Sequence, residues 1–114
     1  SPTATYSLVE HAVQLSRESG ARVHVGAIVS SALFYDTRQG IMQRWKDRGH
    51  LAVEMEAAVL YTLGALHKIE TLCMATISDI IASESEAVRI SDEELQQGVD
   101  KMMEVACEVA TGRP

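Results

Sequence analysis

The segment VEMEAA, residues 53–58, places a carboxylate on either side of a methionine, directly before the apolar run VLYTLGAL. A carboxylate that enters the protein interior costs several kcal/mol unless it is paired, hydrogen-bonded or protonated. Glu54 and Glu56 therefore need partners, which either the folded protein or a bound ligand must supply.

The spacing of the two glutamates predicts a shared direction. In an extended chain, residues two apart point to the same side, so Glu54 and Glu56 face one way and Met55 the other. Glu56 also begins a predicted helix, where its charge gains about 0.3–1 kcal/mol from the helix dipole, so a purely structural role stays open for it. Glu54 has no such role, and its expected partner is a hydroxyl-rich ligand or a buried arginine.

Two further residues follow predicted strands. Asp79 ends the segment ATISD, and in open α/β sheets the ligand site lies beyond the carboxyl ends of the strands. Ser-Asp after a strand is also a common turn opening, so Asp79 alone does not show whether it serves a ligand site or a turn. Phe34, the single phenylalanine, is either a core aromatic or a surface on which a ring could stack.

The elements that must position these residues alternate along the chain. Hydrophobic periodicity predicts a surface helix ending at Gly20, and Ser91 with Glu94 predicts the start of the last helix as a capping box. The predicted strands are 22–30, 50–55 and 70–79, with helices before Gly49 and over 56–67, and a loop at 83–89. Such alternation is typical of a mostly parallel sheet with helices on its faces, here as one domain over residues 1–114.

Two helices carry informative apolar patterns. The helix over 56–67 is apolar nearly all round, which predicts that it lies between other elements and away from solvent. The last helix has a predicted core stripe: Leu95, Val99, Met102, Met103, Ala106 and Val109. The strands are more apolar than three strands can bury alone, so we expect additional strands from sequence not included here or from another chain.

Composition excludes several classes of function. The net charge of −6 and scattered basic residues argue against nucleic-acid binding, and no apolar run reaches the roughly 18 residues of a membrane span. Cys73 and Cys107 lie in apolar contexts without metal-ligand spacing, which predicts reduced thiols, no zinc and a cytoplasmic protein.

Three blocks together resemble a known family. VHVGAIVSSALFY, HLAVEMEAAVLYTLGAL and CMATISDI are similar to the carboxyl-terminal half of purine nucleoside phosphorylases of the bacterial hexameric type, from about residue 5 to the end. The resemblance implies a three-layer α/β/α fold around a mixed, partly barrel-like sheet. It also implies reversible phosphorolysis of purine nucleosides to free base and pentose 1-phosphate, with phosphate as co-substrate and no cofactor or metal.

The resemblance implies roles at the sugar end of a nucleoside site. Glu56 would accept hydrogen bonds from the ribose hydroxyls, Met55 would pack on the sugar, and Glu54 would line the same pocket. A carboxylate held there, together with the phosphate nucleophile, would stabilise the positive charge that develops on the sugar as the glycosidic bond breaks.

At the base end, the resemblance implies that Phe34 borders the purine and that Ser78 contributes to binding. Asp79 matches the acid that protonates purine N7, which would neutralise the leaving base. Arg89 is the candidate for the arginine that assists this acid. It lies closer to Asp79 than the family spacing predicts, and position 92 holds an aspartate.

The family's phosphate-binding residues lie in the half that has no counterpart here. We therefore expect no phosphorolysis by this chain alone, and expect it to form a homo-oligomer or to pair with the missing amino-terminal half. Two alternatives stay open: a nucleosidase of the same family, which uses water in place of phosphate, and a non-catalytic module that pairs with another chain.

Overall fold

The computed structural model describes residues 1–83 and 86–112. In this part of the chain, helices and short strands form a mixed α/β fold, as predicted. The elements in order are α1 (Tyr6–Glu18), β1 (Val29–Ser30), α2 (Ile41–Asp47), β2 (Val53–Glu54), α3 (Ala57–His67), β3 (Asp79–Ser83), β4 (Glu86–Arg89) and α4 (Asp92–Ala110).

Strands β1 and β2 form a parallel pair that is much shorter than the predicted strands 22–30 and 50–55. Val29 lies opposite Val53 and Ser30 opposite Glu54. The N–H of Val29 donates to the carbonyl of Ala52 at 2.9 Å, and the N–H of Ser31 donates to the carbonyl of Glu54 at 2.8 Å. This register places the side chains of Ser30 and Glu54 next to each other at the carboxyl ends of both strands.

Strands β3 and β4 form a separate antiparallel pair, with Asp79 opposite Arg89. The predicted strand at 70–79 is therefore wrong in position, because Asp79 begins a strand where the sequence predicted an end. The predicted loop at 83–89 contains β4, although its residues 84 and 85 lie outside the described part. A strand needs a hydrogen-bonding neighbour, and residues 71–78 have no strand beside them in the described structure.

The core lies between the first and last helices. Ala12 of α1 packs with Val105 and Val109 of α4, and the partly buried side chains of Leu8, Leu15, Leu72 and Met74 surround them. The segment that leads to Asp79 is thus anchored on this core through Leu72 and Met74. Thr5 ties the start of α1 to the same segment, since its N–H donates to the carbonyl of Thr71 at 2.8 Å.

Helix α4 begins where the sequence predicts. The Ser91 hydroxyl accepts a hydrogen bond from the N–H of Glu94 at 3.2 Å, which satisfies one of the unpaired amides of the first turn. The predicted stripe is wrong for Met103, which is 52% exposed, and correct for its other members, which are buried or partly buried. Val105 takes the buried position, because it lies three residues after Met102 and so on the same helical face.

The apolar composition of α3 predicts a helix enclosed by other elements, but most of α3 is exposed. Only Ala57 and Gly64 are buried, whereas Val59, Leu60, Leu63 and Leu66 are 44–72% exposed. The described part of the chain provides too few elements to cover an apolar helix on all sides. Among the described residues, no helix is both long and apolar enough to cross a membrane.

Candidate active site

The Glu54 carboxylate is the most highly coordinated group at the carboxyl end of the parallel strands. One oxygen accepts a short hydrogen bond from the Ser30 hydroxyl. The other accepts from the backbone N–H groups of Glu56 and Ala57, at 2.5 and 2.6 Å. The Ser30 hydroxyl in turn accepts from the N–H of Ala58 at 2.9 Å. The folded protein therefore supplies the hydrogen-bond partners of Glu54, and no bound ligand is needed for them.

These hydrogen bonds change the acidity of Glu54. Partial burial alone would raise the pKa of its carboxyl, but the Ser30 hydroxyl and the backbone N–H groups of Ala57, Glu56 and Met55 favour the charged form. The net effect lowers the pKa below its ordinary value, so Glu54 is ionised at neutral pH. Its negative charge lies at the amino-terminal end of α3, where the helix dipole also stabilises it.

Glu56 has surroundings different from those of Glu54. It occupies the N-cap position of α3 with backbone angles of φ −130° and ψ −21°, and its own side chain caps nothing. The side chain is exposed, and among the described residues it accepts no hydrogen bond and forms no ion pair. Met55 beside it is 41% exposed. The Glu56 carboxylate and the Met55 thioether are thus exposed to solvent on a turn whose backbone is held by hydrogen bonds.

Tyr61 and Cys73 join this turn to the segment that leads to Asp79. The Tyr61 hydroxyl accepts a hydrogen bond from the N–H of Cys73 at 2.9 Å. Burial raises the pKa of the Cys73 thiol, and the negative charges of Glu54 and Glu56 raise it further. Burial also raises the pKa of Tyr61. The hydrogen bond between Tyr61 and Cys73 thus connects α3 to the segment that leads to Asp79.

The acid predicted to serve the base lies at the start of the β3–β4 hairpin. The Ser78 hydroxyl donates to the Asp79 carboxylate at 2.7 Å. Arg89 lies directly opposite Asp79, where Cβ atoms of paired residues are about 4.5–5.5 Å apart. Its guanidinium contacts Asp92 at 3.2 Å, and among the described residues no ion pair joins it to Asp79. The strand register thus places Arg89 beside Asp79, and the assisting role of Arg89 stays a prediction.

Phe34 lies on an exposed loop after β1. It is 76% exposed and packs edge to face against Tyr35, with ring centroids 4.9 Å apart. The core-aromatic interpretation of Phe34 is therefore wrong for this chain. In the same loop, side-chain hydrogen bonding by Arg38 lowers the pKa of Asp36 to about 2.

A cavity of about 220 Å³ lies beside the end of β1. Its lining includes Ser30, Asp36, Arg38, Met42 and Trp45. None of the seven side chains predicted to serve the nucleoside lines it. Among the described residues, no hydrogen bond joins the cluster around Glu54 and Glu56 to the cluster around Asp79 and Arg89.

Ser30 is the residue that sequence reasoning missed. A serine within an apolar strand carries no signal of a functional role. The role of Ser30 depends on its hydrogen bond to Glu54, which is 24 positions away in the sequence. The signal was available only in the pairing register, since parallel strands that end together place their last side chains side by side.

Comparison with known proteins gives this geometry a context. The family model described as the Phosphorylase superfamily matches residues 1–111. The chain belongs to the phosphorylase superfamily. Its membership agrees with the mixed α/β fold and with the family that the VEMEA and TISD blocks resemble.

Curated relatives within the superfamily carry a more specific name. Proteins named purine nucleoside phosphorylase DeoD-type from Jannaschia sp. (strain CCS1), Clostridium novyi (strain NT) and Roseobacter denitrificans are 41%, 38% and 42% identical to this chain over 109 residues. These matches cover 96% of this chain but only 45–46% of each relative. The chain therefore spans less than half the length of these superfamily members.

Proposed function

We propose that this chain carries the nucleoside-binding part of a purine nucleoside phosphorylase. The observation that carries the proposal is the VEMEA turn, in which Glu56 and Met55 are exposed on a backbone that Glu54 holds in place. Its similarity to proteins named purine nucleoside phosphorylase, over 96% of the chain, supports a purine nucleoside as the ligand.

At the sugar end, Glu56 accepts hydrogen bonds from the ribose hydroxyls while Met55 packs on the ring. An ionised carboxylate forms stronger hydrogen bonds than a neutral acceptor, and a pair of neighbouring hydroxyls suits its two oxygens. The charge also opposes the positive charge that develops on the sugar during bond cleavage. Glu56 needs no rearrangement for this role, because no other described group occupies its carboxylate.

At the base end, Asp79 donates a proton to the departing purine with Ser78 orienting its carboxyl group. Arg89 assists from across the hairpin once its guanidinium leaves the Asp92 carboxylate and pairs with Asp79. The exchange costs little, because the side chains of Arg89 and Asp92 are 63% and 90% exposed and such surface ion pairs contribute about 0–1 kcal/mol. Phe34 borders the base on the loop after β1.

The sugar and base clusters come together when a second polypeptide covers the open faces of this chain. Four large apolar side chains of α3 are exposed, and α3 starts at the VEMEA turn. Exposed apolar area of this kind is typical of a surface that another chain or segment covers. We propose that the covering element corresponds to the part of the relatives that this chain does not match, and that it brings the phosphate-binding residues.

The proposal is tested by assembly and turnover. The 114-residue chain is co-expressed with the unmatched part of the Jannaschia relative, and hypoxanthine release from inosine is followed with and without phosphate. We expect no release by the chain alone and phosphate-dependent release by the assembly. Asp79→Asn should lower turnover by about 10²- to 10⁴-fold, the usual contribution of general-acid catalysis.

Two matched controls accompany the assay. Glu56→Gln, at the proposed sugar contact, is assayed beside Asp79→Asn. Asp100→Asn and Glu70→Gln make the same two chemical changes at exposed positions outside the proposed site. Both should leave turnover unchanged. Release that needs no phosphate would favour the nucleosidase alternative, and an assembly that releases no base would favour a non-catalytic module.

A further inference from the structure

Glu54 and Glu56 were both expected to face the sugar, but the structure gives them different surroundings. Three hydrogen bonds converge on the Glu54 carboxylate, from the Ser30 hydroxyl and from the N–H groups of Glu56 and Ala57. A carboxylate offers about four acceptor sites, so most of its capacity is already used within the protein.

We propose that Glu54 is a positioning residue, which holds Glu56 in the orientation that binds the ribose hydroxyls and does not itself contact the nucleoside. The inference rests on the proposed function of Glu56 and deepens it. It assigns to Ser30 the supporting role of fixing the Glu54 carboxylate from the neighbouring strand.

The contacts of Glu54 explain how it controls Glu56. The first amides of a helix have no partner within the helix and must find one elsewhere. Glu54 accepts from the amides of Glu56 and Ala57, and Ser30 accepts from the amide of Ala58. Three consecutive N–H groups are thus fixed by one carboxylate and one hydroxyl. The backbone of Glu56 lies between two of these bonds, so the direction in which its Cα–Cβ bond leaves the backbone is fixed as well.

The same network couples both strands to the helix. Ser30 ends β1, Glu54 ends β2, and Ala57 begins α3. Any displacement of β1 relative to β2 would change the distance from Ser30 to Glu54. The position of the Glu56 backbone, which Glu54 holds, would then change as well. Misplacement of a substrate-positioning group by about 1 Å can cost up to about 100-fold in rate, so this network is expected to matter for nucleoside binding.

The network also excludes one site for phosphate. Helix amino termini bind anions through their unpaired N–H groups. In α3 these groups already bind the Glu54 carboxylate, whose negative charge would repel a phosphate at the same place. The phosphate co-substrate is therefore expected to bind elsewhere.

The test uses amide NMR spectra of the 114-residue chain and four single variants: Glu54→Gln, Glu56→Gln, Ser30→Ala and Ser30→Thr. In the parent, we expect the Glu56 and Ala57 amide protons to resonate downfield and to move together as Glu54 titrates in acid. Glu54→Gln and Ser30→Ala should shift both resonances upfield. Ser30→Thr keeps the hydroxyl and should restore the parent positions, whereas Glu56→Gln should leave the Ala57 resonance in place.

Titration of the co-expressed assembly with inosine then separates the positioning role from the proposed function. Glu56→Gln and Glu54→Gln should each weaken inosine binding by at least about tenfold. If Glu56→Gln binds inosine like the parent, the proposed sugar contact is wrong, whatever the amide spectra show. The positioning role is overturned if the two amides keep their parent shifts in Glu54→Gln, or if Glu54→Gln loses those shifts and still binds inosine like the parent.

Discussion

Replacement of Gly64 by alanine should destabilise the chain although alanine is the better helix former. A Cβ atom built at Gly64 would lie 2.6 Å from Cγ2 and 2.9 Å from Oγ1 of Thr71, and 3.0 Å from the carbonyl oxygen of Ile69. Ordinary contacts of a Cβ atom are 3.4–4 Å. Because Thr71 is β-branched and the Ile69 oxygen belongs to the backbone, none of these atoms moves away easily.

The magnitude follows from two opposing effects. Overpacking a filled site costs about 1–3 kcal/mol, whereas replacing glycine by alanine within a helix gains about 1 kcal/mol. For a contact this close the upper part of the first range applies, so we expect Gly64→Ala to lower the free energy of unfolding by about 1–2 kcal/mol. Gly64 lies where α3 meets the segment 69–71, so the clash would separate α3, which Glu56 precedes, from the segment that leads to Asp79.

The assay is urea unfolding followed by far-UV circular dichroism, with a double-mutant cycle as the control. Thr71→Ala removes both of the closest side-chain atoms, so Gly64→Ala should cost clearly less in the Thr71→Ala background than in the parent. The steric explanation is refuted if Gly64→Ala stabilises the parent chain, or if its cost is the same in both backgrounds.

Three further results are expected. Ser91→Ala should lower the free energy of unfolding by about 0.5–2 kcal/mol, because it removes the acceptor for the Glu94 amide; unchanged urea unfolding would contradict this. Cys107 should react with a disulfide reagent at pH 8 faster than Cys73, which is partly buried and has a raised pKa; equal rates would contradict it. The folded pKa of Glu54 lies below its ordinary value of 4.5, so its stabilisation should be complete above that pH and lost as the pH falls through the folded pKa. The stability difference between the parent and Glu54→Gln should therefore shrink on acidification, and a difference that does not vary with pH would argue against the network around Glu54.

The features that could be predicted from sequence are those that depend on neighbours in the chain. The Ser91 cap of α4 and the start of α3 next to Glu56 follow from residue types within a single turn. The alternation of helices and strands likewise predicted a mixed α/β fold. The stripe of α4 was wrong at Met103 because the apolar periodicity allows two neighbouring faces, and only the packing against α1 selects the one with Val105.

The features that could not be predicted depend on distant pairing. The partner of Glu54 is Ser30, and that contact exists only because β1 and β2 end in register. The β3–β4 hairpin places Arg89 opposite Asp79, a pairing that linear spacing could not show, and the role of Arg89 toward that acid stays a prediction. The apolar composition of α3 predicts burial, but composition does not show whether the chain contains the elements that would cover the helix.

The central claim is that the Met55–Glu56 turn and Asp79 contact the same purine nucleoside. It is tested most directly by measuring nuclear Overhauser effects between inosine and methyl-labelled protein in the co-expressed assembly. We predict a contact between the ribose protons and the Met55 methyl group, together with a shift of the Asp79 amide when inosine binds. Contacts that fall instead on the cavity around Met42 and Trp45, with Met55 and Asp79 unaffected, would contradict the account.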